Sequence, residues 1–267
     1  MKEKESVILS FDSLGIGYGS GTRRKILLPP LNASAVSGEL VAIIGRNGIG
    51  KSTLLRTIIR LHTALGGQVL IQGENLLKIS RIELARRIGY ISTEIIRVSN
   101  MTVYELVALG RFPHTNWIGR IDSRGKEVID DAIEKTGISN FKGRYIAELS
   151  DGERQRAMIA RVLAQDAAIM VMDEPLAFLD LPGKYEIANL IRNLSKAGKT
   201  IIFSTHDLDI AVKIADRIWL MQKEGLTEGS PVKLIENGSF DAMFESRGSL
   251  TGPFSGSSAS GYLKNFL

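Results

Sequence analysis

A chain of 267 residues, 44% hydrophobic and 24% charged, is long enough to bury one large core or two lobes. The absence of cysteine excludes a disulfide framework and a thiolate metal site. The net charge of +5 comes from 34 basic and 29 acidic residues that are well mixed, and basic runs such as Arg23-Arg24-Lys25 and Arg86-Arg87 are too short to make a nucleic-acid surface.

In chain order, Met1–Ser6 lacks the apolar stretch of a signal peptide. No apolar run approaches the roughly 20 residues that span a bilayer, so a membrane role requires a separate membrane partner. Val7–Phe11 and Ile26–Leu28 are short β-rich pieces punctuated by Gly, Pro and Asn, as is Val69–Ile71 further on. Together they predict an antiparallel lobe. Val41–Ile44 reads as a buried strand, and directly after it Gly45-Arg46-Asn47-Gly48-Ile49-Gly50-Lys51-Ser52-Thr53 contains the full G-x-x-x-x-G-K-[ST] spacing. Strand followed by glycine loop followed by helix is the context in which that spacing binds a nucleotide. Gly45, Gly48 and Gly50 let successive backbone N–H groups turn toward an anion, and a helix starting near Lys51 adds its positive end. Lys51 is then placed to reach the β- and γ-phosphates and Ser52 to offer a hydroxyl to Mg²⁺, with Thr53 starting the helix. Ile49 puts a bulky apolar side chain into the loop, and that side chain should point away from phosphate.

From about Ile95 to Ala147 the pattern turns helical, with Val103, Leu106, Val107 and Gly110 on one face and Val128, Ala132 and Ile133 on another. Leu149-Ser150-Asp151-Gly152-Glu153-Arg154-Gln155-Arg156 opens the helix that runs to Ala164. Ser150 and Glu153 have the spacing of a capping box, a common device that needs no ligand, but Gly152 within the first turn would let a phosphate approach the exposed N–H groups. Ile169–Met172 is a second buried strand and ends on Asp173-Glu174-Pro175. Asp173 can hold Mg²⁺ there, and Glu174 is left to polarise an attacking water. Thr200–Ser204 is a third, followed by Thr205 and His206. Strands ending on polar residues, alternating with helices, predict a parallel α/β sheet with its chemistry beyond the carboxyl ends. Residues 246–261, rich in Ser and Gly, open an expected flexible tail, 246–267, after one domain spanning 1–245.

Leu149–Arg156, just upstream of the Asp-Glu strand, closely resembles the LSGGQ-type signature of ATP-binding cassette (ABC) proteins, and the resemblance extends from Ser6 to about Phe244. It implies an α/β P-loop NTPase, with a RecA-like core, an antiparallel β lobe and a helical signature lobe at about 95–165. It also implies ATP and Mg²⁺ as cofactors, Tyr18 stacked on adenine, and Ser150, Gly152 and Glu153 bound to nucleotide. Leu179-Asp180 resembles the loop between two nucleotide sites, and His206 the switch histidine that contacts the γ-phosphate. One element departs from the pattern: Thr93 aligns with the family's usual glutamine, and Glu94 beside it is the residue whose carboxylate oxygen is available for Mg²⁺ or water.

Met101–His114, Asp207–Met221 and Glu228–Asp241 look like the ATPases of bacterial iron-siderophore, haem and cobalamin importers. The resemblance thus implies an ATPase peripheral to the cytoplasmic face of the cell membrane. It would form a head-to-tail dimer with a second copy of itself, working with two membrane permeases and, indirectly, a substrate-binding protein. A soluble ABC ATPase acting on nucleic acid or translation is the competing class. The single cassette and the lack of zinc-binding cysteines and of a coiled-coil insertion stand against it, and no nucleic-acid partner is expected.

Overall fold

Both β and helical regions follow the apolar spacing of the chain. The computed structural model describes residues 6–19, 24–94, 100–115, 119–241, 261, 263 and 264. β1 (Val7–Gly15), β2 (Gly17–Tyr18), β3 (Lys25–Ile26) and β4 (Leu31–Val36) come first. β5 (Leu40–Gly45), buried throughout, feeds α1 (Lys51–Ile58). β6 (Gly66–Ile71), β7 (Glu74–Asn75), α2 (Arg81–Arg87) and β8 (Ile88–Ile91) follow. Next are α3 (Val103–Ala108), extended by a 3₁₀ turn over Leu109–His114, then α4 (Ser123–Lys135) and α5 (Asp151–Ala164). The remaining elements are β9 (Ile169–Met172), α6 (Leu181–Lys196), β10 (Thr200–Ser204), α7 (Leu208–Ile214), β11 (Arg217–Gln222), β12 (Gly225–Gly229) and α8 (Pro231–Glu236).

A four-stranded antiparallel sheet has the order β4-β1-β6-β7, and the main sheet has the order β12-β11-β5-β10-β9-β8. All neighbours in the main sheet are parallel except the edge pair β11 and β12. The central strands read as continuous apolar runs because both of their faces are covered. Leu40, Ala42 and Ile44 of β5 join Met170, Met172, Ile201 and Phe203 in a core shared with α3 to α6. Val41 and Ile43 face the other way, joining Val171, Ile202, Trp219 and Met221 in a second core with β1, β6 and α1. Trp219 is fully buried, with the ring of Phe11 edge-on at 5.1 Å, so it ties the antiparallel sheet to the main one.

Ile169–Met172 and Thr200–Ser204 coincide with β9 and β10, and Val41–Ile44 lies within β5. β1 runs on to Gly15, whereas the expected Ile26–Leu28 strand shortens to Lys25–Ile26 before Pro29-Pro30, residues without a backbone donor. In α4 the buried row is Gly125, Ile129, Ala132 and Ile133. Val128 is only half-buried, so Ile129 takes the place expected for it. Residues 95–99 and 242–260 lie outside the described residues. Leu263, expected in a flexible tail, is buried in the larger core, because an apolar side chain near the end of the chain finds a covered site there.

Candidate nucleotide site

Register sets the geometry of the site. Met172 of β9 lies beside Ile91 of β8 and Phe203 of β10, and Ser204 lies beside Ile43 of β5. Gly45 and Ser204, which close β5 and β10, and Asp173 and Thr93, just beyond β9 and β8, therefore gather at the carboxyl ends of the strands.

Gly48 and Gly50 have φ of 80° and 115°, the left-handed region open to glycine. Gly45 is required for a different reason: a β-carbon there would lie 2.7 Å from the carbonyl oxygen of Met221 on the adjacent strand. Gly50 caps α1 without a side-chain hydrogen bond, so the first-turn N–H groups have no side-chain cap. Arg46, Asn47 and Gly48 are exposed, and Ile49 is half-buried against the second core. The buried Lys51 donates from Nζ to the Gly45 carbonyl at 2.9 Å and lies 3.6 Å from Glu174 Oε1. The hydroxyls of Tyr18 and the buried Thr53 are 2.6 Å apart. That bond anchors a half-exposed tyrosine ring beside α1, edge-on to His62.

Asp173 is 2% exposed. Its Oδ1 accepts from Ser52 Oγ at 3.0 Å and from Ser204 Oγ at 2.8 Å. Ser204 Oγ in turn accepts the Glu174 N–H at 2.9 Å, and Glu174 Oε2 is 2.8 Å from His206 Nδ1. Thr93 Oγ1 donates to the Asp173 carbonyl at 3.0 Å. Ser204 opens the Ser204-Thr205-His206-Asp207 stretch that resembles the family's switch, but no local pattern assigns its hydroxyl a role of its own.

Glu94, expected at the metal, lies on the rim of the site. Its side chain is 84% exposed with its carboxylate 3.9 Å from Arg56 of α1, at the mouth of the cleft that Thr93 and Glu174 also line. Of the two junction residues, Thr93 is the one bonded to the Asp173 segment.

At α5, Ser150 and Glu153 form the complete capping box. Glu153 Oε2 accepts from Ser150 N and Oγ at 2.8 Å each, and Ser150 Oγ accepts from Glu153 N at 3.3 Å. Those bonds, the Ser150 backbone N–H foremost, hold the Glu153 carboxyl below the usual carboxylate range. Thr102 and Glu105 build the same box at α3 with the same distances, so the box by itself marks only a helix start. What distinguishes α5 is open space: Ser150 is exposed, and a β-carbon added at Gly152 would meet nothing within 4 Å. Asp151, Arg154 and Gln155 of the same helix line a cleft with Thr93, Glu94 and Glu174, joining the helical region to the carboxylate strand. Asp180, beyond the exposed Phe178, caps α6 by accepting the Gly183 N–H.

A buried parallel strand opening through a glycine loop into a helix, with Ser52 bonded to a buried aspartate on a nearby strand, defines a P-loop nucleotide hydrolase. The sequence profile of the family described as "ABC transporter" matches residues 28–177. The iron(3+)-hydroxamate import ATP-binding protein FhuC of Bacillus subtilis is 35% identical over 229 residues, 85% of this chain and 84% of that protein. The ferric enterobactin transport ATP-binding protein FepC of Escherichia coli is 37% identical over 227 residues, 84% and 82% of the two chains. The dimeric structure of MJ0796, a bacterial ABC transporter cassette, superimposes with a TM-score of 0.72 at 25% identity, covering 84% of this chain and 99% of that one. The chain belongs to the ABC transporter family, as an ATP-binding subunit that hydrolyses ATP.

Proposed function

We propose that this ATPase powers import of an iron-siderophore, haem or cobalamin-type chelate through two partner membrane permeases, working at the cytoplasmic face of the cell membrane. The observation that carries the reading is the Ser52–Asp173 and Glu174–His206 pairing, on a chain that covers more than four-fifths of relatives named as ATP-binding proteins of iron(3+)-hydroxamate import and ferric enterobactin transport. Among the described residues no helix is long and apolar enough to cross a membrane, in keeping with separate permeases. The same import relatives disfavour an ABC ATPase of nucleic-acid repair or translation.

In this reading the N–H groups of residues 46–52 and the Lys51 ammonium bind the phosphates, and the Tyr18 ring takes the adenine face. Ser52 and Asp173 suit a hard divalent cation, since both present oxygen, 3.0 Å apart, and Asp173 is buried. Mg²⁺ held there would neutralise phosphate charge as the terminal bond breaks. Glu174 orients a water on the γ-phosphorus and accepts its proton, while His206 holds Oε2 in place. Before that, Glu174 has to exchange Lys51 for the water, because the two are paired here.

Ser150 is exposed and Gly152 has open space beside it, and Phe178 and Leu181, flanking Leu179-Asp180, are 69% and 66% exposed. Such an apolar pair beside an open helix start supports a head-to-tail dimer in which each copy completes its partner's site. A cysteine pair at Ser150 and Gly48 tests this in a chain that has none of its own; a bond found only within one chain would refute it. A groove of about 620 Å³ lined by Leu61, Arg81, Leu84, Tyr90 and Leu109, with Phe112 75% exposed nearby in sequence, supports a permease contact through the Met101–His114 stretch. Purifying the subunit with its co-encoded permeases and measuring uptake into vesicles with ferric siderophore, haem or cobalamin tests the cargo. Uptake of none of them, in a complex that hydrolyses ATP, would overturn the chelate assignment.

A further inference from the structure

Glu174 has φ of 49°, a left-handed conformation unfavourable for a residue with a β-carbon and kept only where surrounding bonds impose it. The bonds that impose it come from the two strands flanking β9. On the β8 side, Thr93 Oγ1 donates to the Asp173 carbonyl at 3.0 Å. On the β10 side, the fully buried Ser204 uses its single proton on Asp173 Oδ1 at 2.8 Å and a lone pair on the Glu174 N–H at 2.9 Å.

We propose that Thr93 and Ser204 form a two-hydroxyl clamp on the Asp173-Glu174 turn, acting as positioning residues for both carboxylates. Ser204 is the central member, since one hydroxyl links the side chain of Asp173 to the backbone of Glu174. Ser52 shares the same Asp173 oxygen, but Ser52 is also assigned to the cation, which leaves Ser204 to hold the carboxylate in its rotamer. Thr93 carries the clamp into the junction with the helical region, so the residue aligned with the family's glutamine serves the turn through a backbone carbonyl. The clamp rests on the assignment of Asp173 to the cation and Glu174 to the water.

The experiment compares Ser204→Ala, Thr93→Val and Thr93→Ser. Mn²⁺ affinity is measured by electron paramagnetic resonance with ATP present, in a Glu174→Gln background that prevents turnover. Backbone amide exchange of the 172–177 segment is read by mass spectrometry without nucleotide, and steady-state hydrolysis is followed against Mg²⁺ in the Glu174 background. The clamp predicts that Ser204→Ala weakens Mn²⁺ binding roughly 10–100-fold, the range seen when a group orienting a metal ligand is lost. It also predicts faster exchange in the segment and a raised Mg²⁺ requirement, with metal-free ATP binding unchanged. Thr93→Val should lower kcat and Thr93→Ser restore it. If Ser204→Ala fails to fold, the Thr93 pair decides: equal activity of Val and Ser overturns the clamp. Unchanged Mn²⁺ affinity and exchange in folded Ser204→Ala, with Glu174→Gln inactive, overturns the clamp alone. Wild-type turnover in Asp173→Asn and Glu174→Gln would instead remove the carboxylate assignment, and the clamp with it.

Discussion

Replacing Glu174 by glutamine should separate ATP binding from hydrolysis. The Glu174 carboxylate faces Lys51 Nζ at 3.6 Å and His206 Nδ1 at 2.8 Å, with the Lys51 and Glu174 side chains 7% and 17% exposed. Unit charges at that first separation attract by about 4–5 kcal/mol at an effective dielectric of about 20, before the hydration of either group is counted. ATP has to break that pairing to gain Lys51. Once desolvation has offset most of the attraction, a net of about 1 kcal/mol is reasonable for such a pair, so Glu174→Gln should bind ATP roughly fivefold more tightly than wild type. The amide accepts no proton from water, so turnover should fall roughly 10²–10⁴-fold, or about 3–5 kcal/mol in the barrier. Equilibrium binding of a fluorescent ATP analogue and single-turnover hydrolysis on the same preparation read the two effects. Turnover within tenfold of wild type would refute the base, and weaker ATP binding would refute the competition for Lys51.

Gly45→Ala should destabilise the fold by about 1–3 kcal/mol, because the new β-carbon would lie 2.7 Å from the Met221 carbonyl oxygen; a melting temperature equal to wild type would contradict that packing. Glu94→Ala should leave the Mg²⁺ requirement within about twofold, as for an exposed surface substitution, since the side chain is 84% exposed and faces Arg56; a severalfold increase would return Glu94 to the metal. The Glu153 carboxyl is held below the usual range by Ser150, so the stability it contributes is present above its unfolded value and lost as pH falls through the lower folded one. Glu153→Gln should flatten that acid-side decline in urea midpoint, and an unchanged slope would show that the capping bond is not formed in solution.

Local spacing made the phosphate loop legible, since loop glycines, Lys51 and Ser52 act through backbone and side chains within one turn of one another. β9 and β10 were legible for a related reason: strands buried on both faces carry continuous apolar runs, Ile169–Met172 and Ile201–Phe203, which end at Asp173 and Ser204. Other features depended on neighbours distant in sequence. Strand order β8-β9-β10 brings Thr93 and Ser204 to either side of Asp173, across sequence separations of 80 and 31 residues. Helical periodicity left the choice between Val128 and Ile129 to the packing of α4. Leu263 is buried although its surroundings in sequence read as linker, and Glu94 lies 3.9 Å from Arg56, a residue 38 positions earlier on α1. Chain-local chemistry was therefore determined by the sequence alone, whereas which hydroxyl holds which carboxylate was decided by the sheet register, a tertiary property that no local pattern encodes.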